Sequence, residues 1–155
     1  MDFFTFPTVV FGVHLYGFVV IRHRDRRILR LNVTRHPTAE WTKRQLLEAF
    51  PYDQVPSHLH RDRDRIYGEV VTEAIANLGI IDKPSAPRSP WQNPYAERAI
   101  GSIRRDLLDH CIVLNEAHAR ALLRSWDQQA ASLGLSIELS LYAANSDKPV
   151  PIASK

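Results

Sequence analysis

The 155-residue chain has one cysteine, Cys111, few lysines, and no apolar run long enough to cross a bilayer. A lone cysteine excludes a disulfide framework and a thiolate zinc site, and it fits a reducing cytosol. The longest apolar stretch, Val9 to Ile21, covers 13 residues, includes His14 and is followed by Arg22, His23 and Arg24. A transmembrane helix needs about 20 residues. A signal peptide sets its basic residues before the apolar run, whereas this chain opens with Asp2. No membrane partner is therefore expected. Internal repeats and a second domain are also missing; the length is that of one domain able to bury a core.

The shortage of lysine leaves arginine dominant. Of 20 basic residues all but Lys43, Lys83, Lys148 and Lys155 are arginine, and the net charge is +3. Arginine favours bidentate phosphate contacts, which points to a nucleic-acid partner. A GC-rich genome explains the same balance equally well.

Hydrophobic periodicity orders the elements. Asp2–Phe6 reads as a short strand ended by Pro7, and Phe11–Ile21 as a strand apolar on both faces. Ile28–Thr34 alternates, with Leu29, Leu31 and Val33 on one face, and forms a hairpin with its predecessor. Thr38 can cap a helix running to about Phe50. Ser57–Asp62 is a short strand, and Tyr67 to Leu78 keeps helical spacing until Gly79 stops it. Ile80–Ile81 begins another strand, and a proline-rich loop then leads to Asn93, placed to cap a helix with Pro94 at its first position. Asn115 to about Ala131 is the last helix. Three antiparallel strands followed by strand–helix alternation make an α/β chain, a mixed sheet flanked by helices.

In such a sheet, ligands collect where strands end and helices begin. Asp2, Asp62 and Glu97 stand at such places. Carboxylates gathered in one cleft repel each other unless a cation neutralises them, and oxygen-only donors favour Mg²⁺ or Mn²⁺. Asp64 competes with Asp62 for the second position but is also a natural N-cap. In the helix, Ala96, Ala99, Ile100, Ile103 and Leu107 form the apolar stripe, while Glu97, Gly101, Arg104 and Leu108 share a row. Arg104 thus extends from the acid's own side, with Arg98 and Arg105 on the polar surface. His58 and His60 share strand parity with Asp62 and read as a surface edge.

Four motifs carry a family resemblance. Asp2-Phe3-Phe4-Thr5, Asn32 to Thr38, Arg61 to Gly68 and Ser89 to Arg98, in this order, resemble the retroviral-type integrase catalytic core shared with bacterial insertion-sequence transposases. The resemblance runs from Asp2 to about Trp126, and its Asp62–Glu97 gap is close to that family's. It implies a ribonuclease-H-like fold and a metal-binding triad of Asp2, Asp62 and Glu97. It also implies cutting and joining of DNA, both element ends and target, by a homo-oligomer in the bacterial cytoplasm, at the nucleoid. Trp91, Gln92 and Asn93 become candidate DNA contacts beside the acid, together with Arg98, Arg104 and Arg105.

The pattern departs from the family at both ends. Only Met1 precedes Asp2, and after Trp126 the sequence diverges into Leu133, Leu135, Ile137, Leu139 and Leu141 alternating with small or polar residues. The expectation is a core over residues 1–131, truncated in its first strand, and a poorly ordered tail over 132–155. Two alternatives stay open: an inactive transposase remnant that binds nucleic acid or a full-length relative, and a ribonuclease-H-like nuclease without strand transfer.

Overall fold

The computed structural model describes residues 1–51, 54–86 and 93–132, except the side chain of Arg65. Strands β1 (Asp2–Pro7), β2 (His14–Arg22) and β3 (Arg27–Thr34) form an antiparallel sheet in that order. After α1 (Ala39–Ala49), β4 (His58–Arg61) pairs in parallel with β5 (Ile81–Pro84) across α2 (Glu69–Asn77). Helix α3 (Pro94–Ile103) passes through a π-helical turn at Arg104–Leu108, and α4 (Glu116–Ser132) closes the described fold. The α/β class and the ribonuclease-H-like arrangement are as expected. The antiparallel and parallel sheets are bridged at Met1, whose α-amino group donates to the His60 carbonyl at 2.6 Å.

The two faces of β2 explain the layering. Phe18 and Val20 pack with Leu46 of α1 and Val71 and Ile75 of α2, whereas Leu15 joins Phe4, Phe6, Val33 and Ile103 beneath α3 and α4. Thr38 caps α1 by accepting from the Trp41 amide at 3.1 Å, as its residue type predicts. Gly79, at φ +72°, takes the left-handed conformation that ends α2.

Three local expectations are corrected. The second strand begins at His14, not Phe11, because Gly12 at φ +76° turns the chain and leaves Val9, Val10 and Phe11 exposed. Second, the register between β2 and β3 shifts at Val20/Ile21, where Arg30 faces Val20 and Ile28 faces Ile21. Leu29 is the extra residue of this bulge, and it packs on the α1 side while Leu31 and Ile28 pack on the α3 side. Leu29, Leu31 and Val33 therefore do not share one face. Third, the π turn, closed by Asp109 N–H donating to the Arg104 carbonyl at 2.8 Å, rotates the residues that follow Arg104. Leu107 and Leu108 both reach the core beside Phe6, so Leu108 leaves the polar row of Glu97.

Candidate active site

Asp2 opens β1 on the parity of Phe4 and Phe6, hence on the side covered by α3. Asp62 follows the last residue of β4. Met1 holds these strands and the helix start together, because its carbonyl also accepts from Asn93 Nδ2 at 3.1 Å. Asn93 is accordingly buried and makes no side-chain cap on α3, contrary to the expectation from its position. Its amide is spent on Met1 beneath the surface. Asn93 Oδ1 and the Tyr67 hydroxyl are buried without a hydrogen-bond partner among the described residues.

Removing the acids from water sets the electrostatics. Burial, then the nearby Asp62 charge, pushes the Asp2 carboxyl up to about 6, with a smaller push from Glu97. Asp62 is also raised, first by burial and then by Asp64. The Met1 α-amino group is lowered to about 6 by burial, against the pull of Asp2 and Asp62. Tyr67 packs beneath this group, its hydroxyl raised by burial and by Asp62, Asp2 and Asp64 together.

Asp62 and, less strongly, Glu97 act on Asp2, and Asp64 acts on Asp62, while Glu97 and Asp64 also line one open cleft with Gly101 and Arg104, over Phe3, Phe4, Thr5 and Tyr16. Asp64 also accepts from the Ile66 amide at 3.1 Å, the capping role its position suggested. As they stand, no three His, Cys, Asp or Glu side chains among the described residues are close enough to hold a metal ion. The donor chemistry suits a hard cation, with Asp2 and Asp62 already sharing the charge that such an ion would neutralise.

Arg104 lies on Glu97's side of the helix, as expected. It donates to the Thr5 carbonyl at 2.8 Å and sits 6.0 Å over the Phe4 ring. Arg105 is exposed and donates to Ser102 Oγ at 3.4 Å; Arg98 is exposed on the first turns of α3. Trp91 and Gln92 lie outside the described residues, as does the tail after Ser132. The sequence reading missed Asp82, which receives Arg61 Nε at 3.0 Å and Nη2 at 2.7 Å and so braces β4 against β5. Strand alternation on both sides of the parallel pair was the available signal.

Residues 78–129 match the family described as integrase core domain. The fold resembles a chain of the simian T-cell lymphotropic virus intasome in complex with PP2A regulatory subunit B56 gamma, at 18% identity and a TM-score of 0.56. The chain has the fold of an integrase catalytic core. The alignment covers 99% of this core and 50% of the viral chain, so the core spans about half that length. The catalytic core domain of BIV integrase aligns at 15% identity and a TM-score of 0.49, over 96% of this core and 84% of that chain. No curated protein matches the sequence. Among the described residues, no helix of the core is long and apolar enough to cross a membrane.

Proposed function

We propose that the chain cuts and joins DNA in integration or transposition, with Asp2, Asp62 and Glu97 holding Mg²⁺ or Mn²⁺. The observation that supports this most directly is the coupling of Asp2 to Asp62. Two acids 60 residues apart in sequence are desolvated together, and Glu97 adds to the same repulsion. Partly burying such a pair opposes folding; the Met1 α-amino group offsets this in part but is itself disfavoured by burial, and a bound cation would offset it further. When bound, a divalent ion would polarise the phosphodiester and the attacking oxygen of an in-line displacement.

The remaining roles belong to the chain. Glu97 stands at the mouth of an open cleft, able to approach the Asp2–Asp62 pair from α3. Gly101 keeps the cleft open one turn on, and Arg104 presents its outer N–H groups to a phosphate while anchored on Thr5. Arg98 and Arg105 extend this basic surface, and Trp91 and Gln92 precede it in the chain. Hydrolysis at an element end would free a 3′-hydroxyl for attack on target DNA, in a homo-oligomer at the bacterial nucleoid.

As they stand, no three of these side chains among the described residues are close enough to hold an ion, which favours a second reading, in which the chain binds DNA without cutting it. Nicking of supercoiled plasmid with Mg²⁺, by the wild type, Asp62→Asn and Glu97→Gln, separates the two. Activity confined to the wild type is expected; equal background in all three establishes the non-catalytic reading. Joining of a 3′-ended oligonucleotide to plasmid then distinguishes an integrase or transposase from a plain ribonuclease-H-like nuclease.

A further inference from the structure

The turn joining β2 to β3, Arg22 to Arg27, carries four arginines, His23 and one acid. Asp25 is already taken, since Arg22 grips it through Nε at 2.8 Å and Nη2 at 2.5 Å and holds its carboxyl down at about 2. The rest of the turn leans on other elements. The His23 ring stacks on His60 of β4, with centroids 5.6 Å apart and planes at 15°, and meets Tyr95 of α3 at 4.9 Å. Arg26, held at φ +56°, places its guanidinium 5.7 Å from the centre of the Tyr95 ring. Rings from three elements thus make a continuous row, bordered by Arg24 and by Lys83, the register partner of His60. Tyr95 and Glu97 both stand on the first turns of α3, so the row and the candidate active site share this helix.

This arrangement is unusual for a merely structural cluster. His23 and Arg24 are exposed, so the row lies at the surface rather than in the core. Burial lowers both histidines most, and after it the charges of the Met1 α-amino group and His60 act on His23, and those of Lys83, Met1 and His58 on His60. Flat rings at the surface with Arg24 and Lys83 beside them combine the two things an unpaired nucleic-acid strand requires: faces for its bases and charges for its phosphates.

We propose that the ring row of His23, His60 and Tyr95, bordered by Arg24, Arg26 and Lys83, is a binding track for single-stranded DNA leaving the active site. Bases stack on the exposed ring of His23 and the edge of Tyr95, and Arg24 and Lys83 contact phosphates. The track rests on reading the chain as a DNA-processing core, but it does not depend on catalysis.

The test is fluorescence anisotropy in EDTA with a labelled oligothymidylate of about 12 nucleotides, within the usual site size of such tracks. His23→Ser combined with Arg24→Ala is expected to weaken binding about tenfold, the scale of one lost stacking contact. Arg24→Ala alone should make the salt dependence shallower by about 0.7, one phosphate on a single strand. Both sites are in an exposed turn, and an unchanged melting temperature verifies folding. Lys83→Ala, on a different element, is expected to weaken binding independently. Wild-type affinity in the His23/Arg24 and Lys83 variants overturns the track, as does equal loss of affinity for a duplex of the same length. Plasmid nicking can fail while oligothymidylate binding persists, so the two readings fail separately.

Discussion

The Phe4 ring fills the space that a side chain on Gly17 would need. The two residues are cross-strand partners, and a β-carbon on Gly17 would fall 2.3 Å from Phe4 Cζ. Phe4 is buried and also supports the Arg104 guanidinium. Gly17→Ala therefore has to push a rigid ring either into the core or up into the candidate cleft. The expected cost is about 1–3 kcal/mol, typical of overpacking, seen as a lower urea midpoint at unchanged slope. Phe4→Leu should recover part of it in the double variant. A Gly17→Ala protein as stable as the wild type would mean that the strands can separate locally, contrary to their close pairing.

The site's acids make a pH prediction. Asp2 binds its proton more tightly in the folded chain, near 6 against 3.8. The folded state thus holds more protons between these values, and this contribution to stability is lost as pH rises from about 4 to 6. The Met1 amine, lowered from 8.0 to about 6, acts in the next window and with the opposite sign: its contribution grows as pH rises from 6 to 8. Comparing Asp2→Asn with the wild type in EDTA isolates the acid. The two should be equally stable near pH 3.5, with the variant gaining up to about 2–3 kcal/mol by pH 7.5. A constant difference across this range would show that Asp2 is not desolvated.

The same electrostatics predict what a cation does. If Asp2 and Asp62 hold a divalent ion, millimolar Mg²⁺ or Mn²⁺ should raise the melting temperature at pH 7.5 by mass action on the folded state. Asp62→Asn should abolish most of that rise although it relieves repulsion in the apo protein. A rise that survives in Asp62→Asn would place the ion elsewhere.

Much of this was legible in the sequence, for identifiable reasons. The Thr38 cap and the Gly79 stop are local signals, and each appears as read; Asp64 caps too, but the 3₁₀ turn ahead of α2. Leu29 was misplaced because a bulge changes the phase of a strand without changing its composition. The π turn likewise keeps helical residue types while rotating Leu108 away from Glu97. Asn93 looked like a cap, yet its amide serves Met1, 92 positions away, which no local rule can foresee. Asp62 and Glu97 stood out through the family resemblance, whose gap they share, whereas the placing of Asp64 with Glu97 along one cleft depends on the 3₁₀ turn at Arg65–Tyr67.

Arg61 and Asp82 offer a test of how β4 and β5 are held. Arg61 is largely buried, bidentate on Asp82, and lies 5.3 Å from the centre of the Tyr67 ring. Asp82→Ala leaves that guanidinium without its counter-charge and should destabilise by roughly 3 kcal/mol, the low end for breaking a buried pair. Arg61→Met with Asp82→Leu should lose much less, because neither charge is then stranded. Additive losses in this cycle would mean that the pair is solvated enough to contribute little.

Arg104 separates anchoring from DNA contact. One of its N–H groups holds the Thr5 carbonyl, so Arg104→Ala both loosens β1 and removes a charge from the cleft. Arg104→Gln keeps a donor for Thr5 and removes only the charge. If the outer face of the guanidinium meets a phosphate, both variants should bind duplex DNA more weakly and flatten the salt dependence by about 0.9, one contact on B-form DNA. Only Arg104→Ala should also lower the melting temperature. Arg105, exposed and donating to Ser102 alone among the described residues, is the comparison: Arg105→Gln should leave stability unchanged, and its salt slope reports whether the basic surface extends past the cleft. An unaltered slope in Arg104→Gln would assign the arginine to β1 alone.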